Sequence, residues 1–149
     1  MAYVLHAVIA PSETIRSVRL LGGWAIQLEQ NMSILPMPDA SDEMTRAYGQ
    51  VSGTEFRCGH PQPPPSVLAV IYKLSIIGAV CYLEAEYFGG HGDQTATVWQ
   101  NGICTLGPIT EDHAFNKALR LIGVRCFDGK DEFDSLGLGK HRSDEEWLG

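Results

Sequence analysis

Two glutamates, a histidine and an aspartate fall within residues 84–93 and could do chemistry together. In EAEYFGGHGDQTATVW, residues 84–99, Glu84 and Glu86 stand two apart, and His91 and Asp93 follow after a glycine pair. Side chains two apart on a strand point the same way, and a turn would bring the other pair back toward them. Carboxylates and an imidazole can hold a divalent metal or transfer protons. The set is compatible with a small metal-dependent hydrolase.

The same residue types are also normal on the solvent face of a sheet. No fixed metal-ligand spacing accompanies them, and the chain has no GxSxG, HExxH or Walker-type motif. The leading interpretation is therefore non-enzymatic, with no catalytic residue, no metal site and no cofactor. The hydrolase that uses Glu84, Glu86, His91 and Asp93 is kept as the alternative, and a self-associating scaffold is left open.

Three consecutive strands position these residues. Alternating apolar and polar residues predict a strand at 80–88, and the glycine-rich residues 89–93 predict a turn after it. Asn101-Gly102 predicts a tight hairpin turn. Together these signals predict an antiparallel meander of three strands, at 80–88, 94–100 and 103–106.

The remaining pattern predicts strands and helices around this meander. YVLHAVIA, residues 3–10, reads as a buried strand in which His6 is a hydrogen-bonded core residue. Before the meander we predict a helix capped by Ser12, a strand or hairpin over 24–36, a short acidic helix from Asp39 or Ser41, and a surface loop over 50–65. The next helix is predicted to face inward with Val67, Val70, Ile71, Leu74 and Ile77. After the meander, a helix capped by Thr110 is predicted to face inward with Phe115, Ala118, Leu119 and Ile122.

These elements fit one domain over residues 1–149. The fold class is α/β (α+β), with an antiparallel or mixed sheet packed by about four helices. Residues 125–149 are expected to form an acidic tail that packs on the domain, because large apolar residues recur along it.

The net charge limits the classes of partner that the protein is expected to bind. Acidic side chains outnumber basic ones 18 to 11, a net charge of −7, so a phosphate backbone would be repelled and a basic protein attracted. Cys81 and Cys104 are expected to be buried reduced thiols. Neither a signal peptide nor a long apolar segment is evident, which predicts a cytoplasmic protein without membrane contact. The oligomeric state stays open.

Acidic residues concentrate in the C-terminal half and could form one patch for a basic partner, with Tyr82, Phe88 and Trp99 beside it as aromatic anchors. Glu111 and Asp112 are expected in the first turn of the last helix. The predicted contact residues are Glu84, Glu86, Asp93, Trp99, Glu111, Asp112, Asp131 and Asp134.

The segments EAEYFGGHGDQTATVW, NKALRLIGV and DEFDSLGLGKHRSDEEW, within residues 82–147, resemble the small acidic immunity proteins of bacterial polymorphic or contact-delivered toxin systems. The resemblance implies a cytoplasmic, non-enzymatic α/β protein that binds one cognate toxin and blocks its active site. It assigns no role to any single residue.

Overall fold

β1, Ala2–Pro11, is the strand around which the sheet is built. The computed structural model describes residues 2–18, 21, 24–36 and 65–148 of the chain. From Leu5 onward β1 is mostly buried, as its run of apolar residues predicts. It pairs antiparallel with β3, Met32–Pro36, on one side and with β4, Val80–Phe88, on the other.

The described strands form one antiparallel sheet of six strands in the order β2-β3-β1-β4-β5-β6. The other three strands are β2, Ile26–Gln27, β5, His91–Gln100, and β6, Ile103–Thr110. β2 and β3 form a hairpin through a 3-10 turn at Glu29–Asn31. The single antiparallel sheet with its helices confirms the predicted α+β class.

The meander of β4, β5 and β6 confirms the predicted strand order, with two differences in extent. β5 begins at His91, so the turn after β4 shrinks from five residues to Gly89 and Gly90. β6 continues to Thr110, four residues beyond its predicted end. Asn101 and Gly102 both have positive φ, 55° and 74°, the geometry of a tight hairpin turn.

Helices pack on both sides of the sheet. They are α1, Ser12–Arg16, α2, Pro65–Ile77, α3, Ala114–Leu121, α4, Glu132–Leu136, and α5, Asp144–Leu148. One core joins Leu83 and Ala85 of β4 to Phe115 and Leu119 of α3. A second core joins β1 and β4 to α1 and α2 across the opposite face of the sheet.

Two predicted helix starts are wrong in their capping residue. Thr110 ends β6, and the chain enters α3 through His113, whose φ is 65°. Glu111 and Asp112 therefore precede the helix and do not lie in its first turn. Ser12 does begin α1, but its hydroxyl lies 2.7 Å from the Ser33 hydroxyl of β3 and caps nothing.

The inward positions of α2 and α3 are nearly all buried as predicted, but Ile77 is exposed. Ile77 is the last residue of α2, where the chain turns back toward β4.

The predicted acidic helix from Asp39 or Ser41 lies outside the described residues, as does the predicted loop over 50–65 apart from Pro65. Leu136, Leu138 and Trp147 of the tail pack in the core.

The cysteines differ from one another. Cys81 is a free buried thiol, as predicted, and burial raises its pKa. Cys104 is disulfide-bonded, so the expectation of a reduced thiol there is wrong. No helix in the described part of the chain is long and apolar enough to cross a membrane.

Candidate protein-binding face

The outer half of the β4–β5 hairpin carries three carboxylates on one face, named here the acidic face: Glu84, Glu86 and Asp93. Glu86 lies directly opposite Asp93 in the strand register, and Glu84 lies two pairs further along, opposite Thr95. The alternate residues of β4, Leu83 and Ala85, point into the core beneath α3. Strand alternation thus directs the three carboxylates away from α3.

The three carboxylates differ in their surroundings. The Glu86 side chain is 65% exposed, and Asp93 is exposed as well. Glu84 is half-buried, and its Oε1 accepts a hydrogen bond of 2.8 Å from the Tyr82 hydroxyl. Burial, with the nearby Glu84 charge, raises the pKa of Tyr82, so its hydroxyl keeps the proton that it donates. The Glu84 carboxylate is thereby held in one position.

His6 of β1 borders the acidic face and is fixed by Asp144. Its Nδ1 lies 3.0 Å from Asp144 Oδ2, and its backbone N–H donates to Asp144 Oδ1 at 2.8 Å. The Asp144 side chain is 5% exposed and that of His6 is 27% exposed. His6 Nε2 lies 3.8 Å from Glu86 Oε1. The imidazole therefore bridges a buried carboxylate and an exposed one. The predicted hydrogen bond of His6 is confirmed, but the residue is half-buried and not part of the core.

The electrostatics of this arrangement favour the imidazolium. The hydrogen bond to Asp144 raises the pKa of His6; burial lowers it by less, and the charges of Asp144, Glu84 and Glu86 raise it further. A raised pKa favours an ion-pair role for His6 over that of a neutral general base. His6 serves as an ion-pair centre that joins the C-terminal segment to the acidic face.

Trp99 was predicted to be a contact residue, but its side chain is 1% exposed and lies in the core beneath α2. Its Nε1 lies 3.0 Å from the Thr97 hydroxyl. Tyr82 is likewise buried, whereas Phe88 at the end of β4 is exposed. Of the three aromatic anchors expected from the sequence, Phe88 alone is available on the surface, so the prediction for Trp99 is corrected.

The other four predicted contact residues, named here the helix-side acids, lie around α3 and α4: Glu111, Asp112, Asp131 and Asp134. α3 and α4 cover the face of the sheet opposite the acidic face. Glu111 pairs with Lys117 at 2.8 Å, and Asp131 caps α4 by accepting from the Asp134 N–H at 2.9 Å. The acids therefore form two sets on two sides of the sheet, which corrects the expectation of one patch.

His91 and Phe88 form the cross-strand pair nearest the turn, so His91 shares the parity of Asp93 and lies on the same face of the hairpin. His91 is exposed. Within the described residues, no three His, Cys, Asp or Glu side chains are grouped so that they could hold a metal ion. The hydrolase alternative thus gains no ligand set from the described structure.

Asp144 is the residue that sequence reasoning missed. It lies 138 positions from His6 in the chain, and nothing in its neighbourhood marks it as the partner of a β1 histidine. A signal did exist for His6 itself, because a lone histidine in an apolar strand requires a hydrogen-bond partner. The identity of that partner depends on where the tail packs.

No family model matches this chain, and neither a curated protein nor a solved structure does.

Proposed function

We propose that the protein is an immunity-type inhibitor that binds a cognate bacterial toxin through its acidic face and so blocks the toxin's active site. The resemblance of residues 82–147 to acidic immunity proteins motivates this class of function. The acidic face supplies the surface, because Glu84, Glu86 and Asp93 present negative charge to a basic partner.

The observation that carries the proposal is the cross-strand pairing of Glu86 with Asp93. Like charges directly opposite each other on a sheet destabilise it. Both residues are exposed, so no packing requirement of the core explains them. His6 Nε2 lies 3.8 Å from Glu86 on one side. A basic side chain placed between Glu86 and Asp93 would offset their repulsion further, which makes the pair a suitable contact for a positively charged partner.

A second feature supports the same surface. Glu84 is positioned by Tyr82, and Glu86 lies beside the anchored imidazole of His6. Side chains that are already ordered lose less conformational entropy when a partner binds. Complementary charge also accelerates association at low ionic strength, which suits an inhibitor that must reach a toxin quickly.

The proposed location is the cytoplasm, as the resemblance implies. The disulfide at Cys104 argues in the other direction, because disulfides are rare in cytosolic proteins. Thiol alkylation of the protein inside intact cells, followed by mass spectrometry, tests whether the protein lies in the cytoplasm. Labelling of Cys104 without prior reduction supports the cytoplasm, and protection of Cys104 from labelling contradicts it.

The immunity proteins that this chain resembles are encoded beside their toxins, so the partner to test is the product of the neighbouring gene. The experiment compares the binding of two matched triple variants to that product. In the first, Glu84, Glu86 and Asp93 are replaced by Gln, Gln and Asn; in the second, Glu111, Asp112 and Asp134 are replaced by Gln, Asn and Asn. Each removes three negative charges, so the net charge is equal. The first variant is expected to weaken binding by about tenfold or more at low salt, and the second to change it little.

Growth of cells that produce the neighbouring gene's product gives the functional readout. Wild type and the helix-side variant are expected to protect the cells, and the acidic-face variant is expected to protect them less. Equal growth with and without this protein would rule the function out. Equal loss of binding in both triple variants would show that net charge, and not the acidic face, is responsible.

A further inference from the structure

A cavity of about 250 Å³ lies on the other side of the hairpin, between its outer half and helices α3 and α4. Four aromatic rings wall it: those of Tyr3, Tyr87, Phe115 and Phe133. The rings of Tyr3 and Phe133 meet edge to face at 5.7 Å, and those of Phe115 and Phe133 lie 6.3 Å apart. Ligand pockets usually measure about 300–1,000 Å³, so this cavity suits a group of side-chain size.

Two amide side chains fix the walls. Gln94 of β5 accepts from the Phe115 N–H at 2.8 Å and donates to the Tyr87 hydroxyl at 3.2 Å. Asn116 of α3 accepts from the Phe133 N–H at 2.9 Å and donates to Asp131 Oδ2 at 3.1 Å. These hydrogen bonds connect β5, α3 and α4 and fix the positions of the residues that wall the cavity.

Among the described residues that line the cavity, Asp131 carries the one fixed charge. Its oxygens accept from Asn116 and from the Asp134 N–H, and each carboxylate oxygen can accept a further bond. His113 Nδ1 lies 3.4 Å from the amide nitrogen of Asn116 at one side of the cavity. The rest of the lining is aromatic, with two amides and a single carboxylate.

We propose that this cavity is a binding site for a guanidinium group. Aromatic faces attract cations, and a carboxylate beside them supplies the counter-charge. Guanidinium fits better than ammonium because it is planar, weakly hydrated and able to stack on rings. Asp131 disfavours phosphate or another anion. The site lies on the face opposite the acidic face and goes beyond the proposed inhibitor function.

Calorimetric and NMR titrations with ethylguanidinium chloride test the site directly. The neutral ethylurea, which has nearly the same shape, is the ligand control. Asp131→Asn removes the charge and keeps the α4 cap, because Asn caps helices as well as Asp does. Asp134→Asn removes an equal charge from an exposed residue that does not line the cavity.

The expected result is saturable binding of ethylguanidinium in the millimolar range, with shifts at Tyr3, Tyr87 and Phe133, and little response to ethylurea. Asp131→Asn is expected to weaken binding by about tenfold or more, and Asp134→Asn by less than about twofold. Tyr87→Leu, which removes one ring from a half-buried position, provides a second variant and is also expected to weaken binding.

Absence of saturable binding, an equal response to ethylurea, or unchanged affinity in Asp131→Asn would each overturn the proposal. Free arginine and N-acetylarginine N-methylamide separate the sources of the group. Tighter binding of the amide supports an arginine side chain within a protein, and tighter binding of arginine supports a free metabolite. If neither binds, no guanidinium ligand of biological origin fits and the proposal fails.

Discussion

His6 and Asp144 show how one ion pair links distant parts of the chain. The hydrogen bond that His6 donates to Asp144 and the charges of the surrounding carboxylates raise the pKa of His6 in the folded protein above the ordinary imidazole value of about 6.5. A group with a raised folded pKa stabilises the fold fully below its unfolded pKa. That contribution is lost as the pH rises through the folded value.

The variant Asp144→Asn tests this coupling. The asparagine can keep an oxygen for the His6 N–H but loses the charge, so we expect the free energy of unfolding to fall by about 1–2 kcal/mol near pH 6. The difference from wild type should shrink at pH values above the raised pKa of His6. Urea unfolding across this pH range measures it. Glu146→Gln, at the exposed His141 pair, is the control and should change little.

At the scale of elements, the acidic face depends on a close approach between the two strands of its hairpin. A Cβ on Gly92 would collide with the backbone carbonyl of Glu86, whereas one on Gly90 would meet nothing within 4 Å. Gly90 has a φ of 81°, so an alanine there is strained but free of collision. Glycine at position 92 is thus required by the β4–β5 register.

We therefore expect Gly92→Ala to destabilise the protein by several kcal/mol and Gly90→Ala by about 1 kcal/mol. Equilibrium urea unfolding gives both values. Amide exchange across β4 and β5 should also accelerate in Gly92→Ala, because the strands must separate locally to admit the methyl group. Equal stability losses in the two variants would show that the carbonyl of Glu86 shifts away at little cost.

Local patterns predicted the elements that local chemistry determines. Alternation gave the strand at 80–88, and Asn-Gly gave the turn after β5, because both signals depend on neighbouring residues. Thr110 was wrong as a cap because β6 continues through it to pair with Thr95 of β5, a long-range demand. The separation of the acidic residues into two sets also depends on long-range packing. Strand alternation places Glu84 and Glu86 on one face of β4, but the position of α3 decides which face of the sheet is covered by a helix.

The whole molecule relies on its C-terminal segment to complete the sheet. β3 pairs with β1 only over residues 7–11, and no other strand of the described residues pairs with the first half of β1 on that side. The segment fills the gap: the Val4 N–H donates to the Arg142 carbonyl at 2.8 Å, and the His6 N–H donates to Asp144. Trp147, 6% exposed, anchors the segment in the core.

Removal of residues 141–149 should thus have two separable effects. The loss of Trp147 from the core alone should cost about 3–5 kcal/mol, which Trp147→Ala measures in the full-length chain. The truncated chain should in addition expose the N–H groups of Val4 and His6, and an uncovered strand edge promotes pairing between molecules. We expect the truncated protein to self-associate in light scattering while Trp147→Ala stays in its wild-type state. If both variants behave alike, the segment acts through packing and does not protect the edge of β1.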